Sequence, residues 1–87
     1  MKIKSGFIMR EIAGDYVVVP TGKAAMSFNG LITVNEVGRF LWDKLQKDVS
    51  EQELTDMVLD EYEIDRETAA ADVAEFIKKL DAADILE

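Results

Sequence analysis

The chain has 87 residues, a formal net charge of −8 and 48% hydrophobic residues, which suits one small globular domain and excludes wholesale disorder. It contains neither Cys nor His, so disulfides and thiolate metal sites are excluded, and the commonest general base and metal ligand is missing. We therefore expect a single domain over residues 1–87 that needs no metal or cofactor and is not an enzyme. Because no apolar run approaches the ~20 residues of a membrane span and no signal-like segment begins the chain, a cytoplasmic location is predicted.

The charge is unevenly distributed along the sequence. Residues 1–34 contain four basic and two acidic residues, whereas residues 35–87 contain six basic and sixteen acidic residues. Nucleic acids and anionic membranes repel a strongly acidic surface, so we expect this protein to bind neither.

The first third of the sequence predicts β-structure. Residues 7–12 and 16–19 are rich in β-branched and aromatic residues, and the Ala-Gly-Asp segment at residues 13–15 predicts a hairpin turn. Pro20 is expected to end the second strand because proline cannot donate to a strand ladder. Residues 24–28 are ambiguous between a short strand and an extended loop.

A third strand is predicted to lead directly into a capped helix. Asn29-Gly30 predicts a tight turn, because both residues tolerate positive φ, and the apolar residues 31–34 follow as a strand. Asn35 can then serve as the N-cap of a helix over about residues 36–46. Gly38 in its first turn costs ~1 kcal/mol of helix propensity, which indicates the close approach of another backbone. The inward face of this helix is predicted to carry Val37, Phe40, Leu41 and Leu45, with Trp42 in the core or at its rim.

Two further amphipathic helices complete the predicted fold. Ser50 and Glu53 form a capping box for the second helix, and Asp65 is the predicted N-cap of the third. Their predicted inward faces are Leu54, Met57, Val58 and Tyr62 in the second helix, and Ala69, Val73, Phe76 and Leu80 in the third. Three antiparallel strands followed by three helices give an α+β domain in the order β-β-β-α-α-α.

The segment that joins the third strand to the first helix carries a family resemblance. A strand, then Asn35-Glu36-Val37-Gly38, then a helix with Phe40, Leu41 and Trp42, resembles the PqqD-like family, also called the RiPP recognition element. Val37 stands where the family usually has Thr. The resemblance spans nearly the whole chain and implies a winged helix-turn-helix arrangement. It also implies a non-catalytic protein that holds the leader segment of a ribosomally made precursor peptide for a modifying enzyme, often a radical-SAM enzyme.

Two other functions are weighed against the same residues. DNA binding through the second and third helices is disfavoured, because the second helix lacks any basic residue that could contact phosphates. The acidic side chains of the second helix are Glu51, Glu53, Asp56, Asp60, Glu61 and Glu63. An acyl carrier protein is disfavoured because neither Ser27 nor Ser50 lies in an Asp-Ser-Leu sequence.

Peptide binding is the function class that remains. If residues 31–34 form a sheet edge, their free N–H and C=O groups can pair with a guest strand. In the third helix, Ala70, Ala74 and Ile77 (the alanine flank) widen the apolar stripe on one side, while Asp72, Glu75 and Lys79 (the polar flank) occupy the other. The alanine flank is either extra core or one wall of a groove. The resemblance favours the groove, because in this family a leader peptide docks beside the third strand and against the third helix. The predicted peptide-binding residues are Leu31, Ile32, Thr33, Val34, Ala70, Ala74, Ile77 and Lys78.

One alternative function stays open. The acidic second helix could dock a basic partner, which would make the protein an acidic interaction or regulatory domain. An open strand edge would also permit a homodimer by strand exchange between two copies.

Overall fold

The computed structural model describes residues 1–22 and 32–87. In this part of the chain the strands are β1 (Phe7–Ile12), β2 (Asp15–Pro20) and β3 (Ile32–Val34), and the helices are α1 (Glu36–Lys44), α2 (Glu51–Glu61) and α3 (Arg66–Ala82). The predicted α+β fold in the order β-β-β-α-α-α is therefore confirmed. The predictions for Asn29-Gly30, for Leu31 and for residues 24–28 lie outside the described residues.

The strands form an antiparallel sheet in the order β1-β2-β3, with β1 and β3 at its two edges. β1 and β2 make a hairpin in which Ile12 lies opposite Asp15. The two residues between them, Ala13 and Gly14, have φ angles of 52° and 88°, as a two-residue type I′ turn requires. β3 then pairs with the other side of β2, where Tyr16 lies opposite Val34.

One face of the sheet packs against the helices. The buried residues of this core come from β2, β3, the three helices and the segments beside them, and are Ile3, Val18, Val34, Leu41, Trp42, Leu45, Leu54, Val58, Ala69, Val73, Phe76, Leu80 and Ile85. Most of the residues predicted to face inward are among them, while Val37, Phe40, Met57 and Tyr62 pack against this core and remain partly exposed. Trp42 is only 3% exposed and is therefore a core residue rather than a rim residue.

The three predicted N-caps are confirmed by their hydrogen bonds. Asn35 Oδ1 accepts a bond of 2.8 Å from the Gly38 N–H at the start of α1. At α2, Ser50 and Glu53 form both bonds of the capping box, and at α3 the carboxylate of Asp65 accepts the Thr68 N–H at 2.7 Å. Each cap satisfies a backbone donor that the first helical turn leaves without a partner.

Gly38 allows α1 to lie close to both β3 and α3. A Cβ atom at this position would lie 2.9 Å from the Cβ of Val34 and 3.1 Å from a ring carbon of Phe76. The predicted close approach is present, but the neighbouring atoms belong to side chains and not to a backbone. This contact places the first turn of α1 between β3 and α3, where it forms the base of the site described below.

The two ends of the described chain run side by side. The Lys4 N–H donates to the carbonyl of Ile85 at 2.7 Å, and the Glu87 N–H donates to the carbonyl of Lys2 at 2.8 Å. Ile3 and Leu86 pair as an isolated antiparallel bridge. No helix in residues 1–22 or 32–87 has the length and apolar character needed to cross a membrane.

Candidate functional site

The first component of the site is the outer edge of β3. In an antiparallel sheet, alternate residues of a strand bond to the neighbour on each side. Because the two-residue turn pairs Ile12 with Asp15, Tyr16 and Val18 direct their backbone groups towards β3. Ile32 and Val34, which lie opposite them, therefore bond to β2. Thr33 lies between these two and directs its N–H and C=O away from the sheet, where no strand of the described chain pairs with β3.

The side chains of β3 alternate between the two faces of the sheet. Val34 is buried and Ile32 is half-buried on the face that packs on the helices, whereas Thr33 is exposed on the opposite face. A guest strand added at this edge would follow the same alternation. Every second guest side chain would therefore point towards the helices.

The second component is a cleft between β3 and α3, which we call the β3–α3 cleft. It has a volume of about 70 Å³. Its lining comprises Val34 and Asn35 on the β3 side, Val37, Gly38 and Leu41 from α1 at its base, and Asp72, Glu75, Phe76 and Lys79 from α3. The cleft thus combines an apolar base with charged side chains on one wall.

The α3 wall of this cleft differs from the predicted one. Ala70, Ala74, Ile77 and Lys78 are not among the residues that line it. Ala70, Ala74 and Lys78 are exposed, and Ile77 packs half-buried against the core. Residues three and four apart share one side of a helix, so the polar flank and the alanine flank lie on opposite sides of the buried line through Val73 and Phe76. The structure turns the polar flank towards β3, and a role for the alanine flank in binding stays a prediction.

The polar flank is evident in the sequence, but its position in the β3–α3 cleft is not. The signal available was the spacing of Asp72, Glu75 and Lys79, which places all three on one side of α3. Such a charged side is usually a solvated surface, so the spacing alone does not reveal a neighbouring strand. The missing information was the position of β3 relative to α3, which depends on the Gly38 contact.

A second and wider groove, of about 320 Å³, lies beside β1 at the other edge of the sheet. Its lining residues are Phe7, Ile8, Met9, Glu11, Tyr16, Arg39, Trp42, Asp43 and Gln46. The guanidinium of Arg39 lies 5.3 Å from the ring centre of Tyr16 and 3.7 Å from the carboxylate of Asp43. The Arg39 guanidinium, the positive charge that lines this groove, therefore already contacts Tyr16 and Asp43 of the same chain.

The acidic residues do not assemble into a metal site in the part of the chain that the structure describes. No group of three His, Cys, Asp or Glu side chains there lies close enough to hold an ion.

Comparisons with known proteins agree with this architecture. The model of the family described as coenzyme PQQ synthesis protein D (PqqD) matches residues 15–86. One similar solved structure is TbiB1 in complex with the TbiA(beta) leader peptide, with 24% identity, a TM-score of 0.74, and coverage of 100% of this chain and 95% of that chain. Another is lasso peptide synthetase B1 complexed with the leader peptide, with 16% identity, a TM-score of 0.70, and coverage of 93% and 89%. A comparison with curated proteins finds no match.

Proposed function

The chain belongs to the PqqD family, and from this premise we propose that it is a non-catalytic peptide-binding protein. It would hold the leader segment of a ribosomally synthesised precursor peptide and present it to a modifying enzyme, such as a radical-SAM enzyme, in the cytoplasm. Residues 1–87 would act as a single recognition domain without a cofactor. The two structural neighbours support this proposal, because each is described in complex with a leader peptide.

The observation that carries the proposal is the outer edge of β3, which no other described strand covers, beside the β3–α3 cleft. A leader peptide in an extended conformation would pair with the outward N–H and C=O of Thr33 and extend the sheet by one strand. Its alternate side chains would enter the cleft over Val37, Gly38 and Leu41. Backbone pairing would supply affinity that is independent of sequence, and the cleft would supply selectivity.

The affinity of such a complex should be moderate. A leader peptide is disordered when free, so part of the interaction energy offsets the entropy lost when the strand becomes ordered. A recognition protein gains from this weakness, because the modifying enzyme must be able to release the peptide after the reaction. The same open edge would also allow two copies to pair, which we propose as a competing homodimeric state.

A basic partner that docks on α2 is a second candidate function. The first turn of α2 carries Glu51 and Glu53, and its last turn carries no basic residue. Two carboxylates of this helix are already engaged, because Asp56 accepts from Arg66 at 3.0 Å and Glu53 accepts the Ser50 N–H at 2.9 Å. Asp60 and Glu61 remain exposed and would meet the partner. This surface is compatible with leader binding at β3 and could receive the modifying enzyme.

Two variants of Thr33 test the proposed function. Thr33→Pro removes the outward N–H without removing a bond of the β2–β3 ladder, so the fold should persist. Thr33→Val keeps the N–H and the branched shape and serves as the matched control. The ligand, titrated by calorimetry, would be a synthetic leader peptide taken from a short precursor reading frame, to be sought in the neighbourhood of this gene. We expect Thr33→Pro to weaken binding tenfold or more, about 1.4 kcal/mol, and Thr33→Val to bind like the wild type.

The outcome of this titration separates the two candidates. If Thr33→Pro bound the peptide like the wild type and Asp60→Lys lost binding, the binding site would lie on α2 and not at the β3 edge. A gene neighbourhood without a precursor peptide and a modifying enzyme would contradict the leader-peptide function itself.

A further inference from the structure

The charged side chains on the α3 wall of the β3–α3 cleft form no ion pair with another described residue. Within residues 1–22 and 32–87, the ion pairs join the N-terminal amine to Asp48, Lys4 to Asp84, Arg39 to Asp43 and Arg66 to Asp56. Asp72, Glu75 and Lys79 take part in none of these pairs. Glu75 and Lys79 lie four residues apart in α3, a spacing at which opposite charges can pair. In the described structure they nevertheless do not approach within ion-pair distance. Three unpaired charges of both signs therefore border the cleft.

The spacing of these charges matches the repeat of an extended peptide. The helix rises about 1.5 Å per residue, so the midpoint of Asp72 and Glu75 lies about 8 Å along the axis from Lys79. Side chains on one face of a strand recur about every 6.8 Å. Asp72, Glu75 and Lys79 all line the cleft together with Val34 of β3. For a guest strand that follows the axis of α3, two successive cleft-facing side chains would reach the acidic pair and Lys79 respectively.

We propose that the peptide recognised by this protein carries a basic residue that faces Asp72 and Glu75 and, two positions away, an acidic residue that faces Lys79. This inference rests on the proposed function and extends it from binding to selectivity. The apolar base of the cleft contributes contact without distinguishing charge, whereas the α3 wall accepts one charge order and repels the reverse. Because the two ends of the wall differ in sign, the order of the charges also fixes the direction in which the guest strand lies along β3.

Each of the two charged peptide residues should change the affinity only modestly, and both together should give a clear preference. Partly exposed ion pairs contribute little individually, so one correct charge should change affinity about fivefold or less. Reversing a charge adds repulsion to the loss of attraction, and therefore gives a larger change than neutralising it. Higher salt should reduce the preference, because these charges are only partly shielded from solvent.

A display experiment with a defined probe tests the inference. A library of random decapeptides on yeast would be selected for binding to the wild-type protein and, in parallel, to Glu75→Lys. Asp81→Lys is the matched control, because it makes the same change of charge on α3 at an exposed position outside the cleft. Thr33→Pro would identify the peptides that bind at the β3 edge.

The expected result is an enrichment of Lys or Arg two positions from Asp or Glu in peptides that bind the wild type and Asp81→Lys. Glu75→Lys should lose the basic preference and bind the wild-type peptides about fivefold more weakly or worse. Edge-dependent peptides without this charge pattern would overturn the inference and leave the proposed function standing. Peptides that bind Thr33→Pro as well as the wild type, or an absence of binders, would overturn the proposed function together with the inference.

Discussion

Replacing Gly38 with alanine tests the contact that places α1 between β3 and α3. In an unobstructed helix this change stabilises the protein by about 1 kcal/mol, because alanine has the higher helix propensity. Here the new methyl group would lie 2.9 Å from the Val34 Cβ, which is attached directly to the backbone of β3 and cannot rotate away. The Phe76 ring at 3.1 Å closes the other side. Overpacking of this kind costs about 1–3 kcal/mol, so the net effect should be a destabilisation of about 1 kcal/mol.

Urea unfolding followed by circular dichroism measures this free energy directly, and thermal unfolding should show a decrease of the midpoint by roughly 4–8 °C. Ala70→Gly on the exposed side of α3 is the control, because it changes helix propensity without a packing contact and should cost about 1 kcal/mol. Gly38→Ala should also weaken peptide binding, since displacing α1 distorts the base of the cleft. A variant that is more stable than the wild type would show that Gly38 lies in open space, and would refute the reasoning about the site as well.

The remaining predictions concern the α3 wall, acid stability and metals. Arginine at Glu75 should weaken leader binding severalfold, and calorimetry should show a smaller effect for arginine at Ala74, which lies outside the cleft. A larger effect at Ala74 than at Glu75 would support the predicted role of the alanine flank. The hydrogen bonds from Thr68 hold the pKa of Asp65 below its ordinary value of 3.8, so its stabilising effect is present above that pH and is lost as pH falls through the lower folded value. Thermal unfolding of Asp65→Ala should therefore show a shallower loss of stability on acidification than the wild type. A chelator should leave the unfolding midpoint of the wild type unchanged, and a decrease of several degrees would reveal a metal site built from carboxylates.

The features that sequence alone predicted correctly depend on residues close together in the chain. A cap such as Ser50 with Glu53 is a local signal, since the donor and acceptor lie three residues apart. The buried line of α3 follows equally from the helical repeat. The first helix ends at Lys44, two residues before its predicted end, and its C-cap, Leu45, is fully buried in the core.

The lining of the cleft could not be predicted in the same way. Both flanks of α3 are consistent with the same buried line, and the choice between them depends on how the helix is placed relative to β3. That placement is set by contacts between distant residues, above all Gly38 with Val34 and Phe76. A glycine in a first helical turn indicates crowding, but it does not identify the neighbour.

The described part of β3 offers little backbone pairing to an arbitrary extended chain. Its three residues, Ile32–Val34, turn a single N–H and C=O pair outward in the described part of the chain. At about 1 kcal/mol per hydrogen bond, this pair contributes roughly 2 kcal/mol to any strand that meets it. Micromolar binding requires a binding free energy of about 8 kcal/mol. Backbone pairing alone therefore gives an arbitrary extended chain too little free energy to stay bound at this edge. A six-residue apolar edge in the same place would favour polymerisation through backbone pairing. At this shorter edge, binding depends instead on guest side chains that fit the cleft.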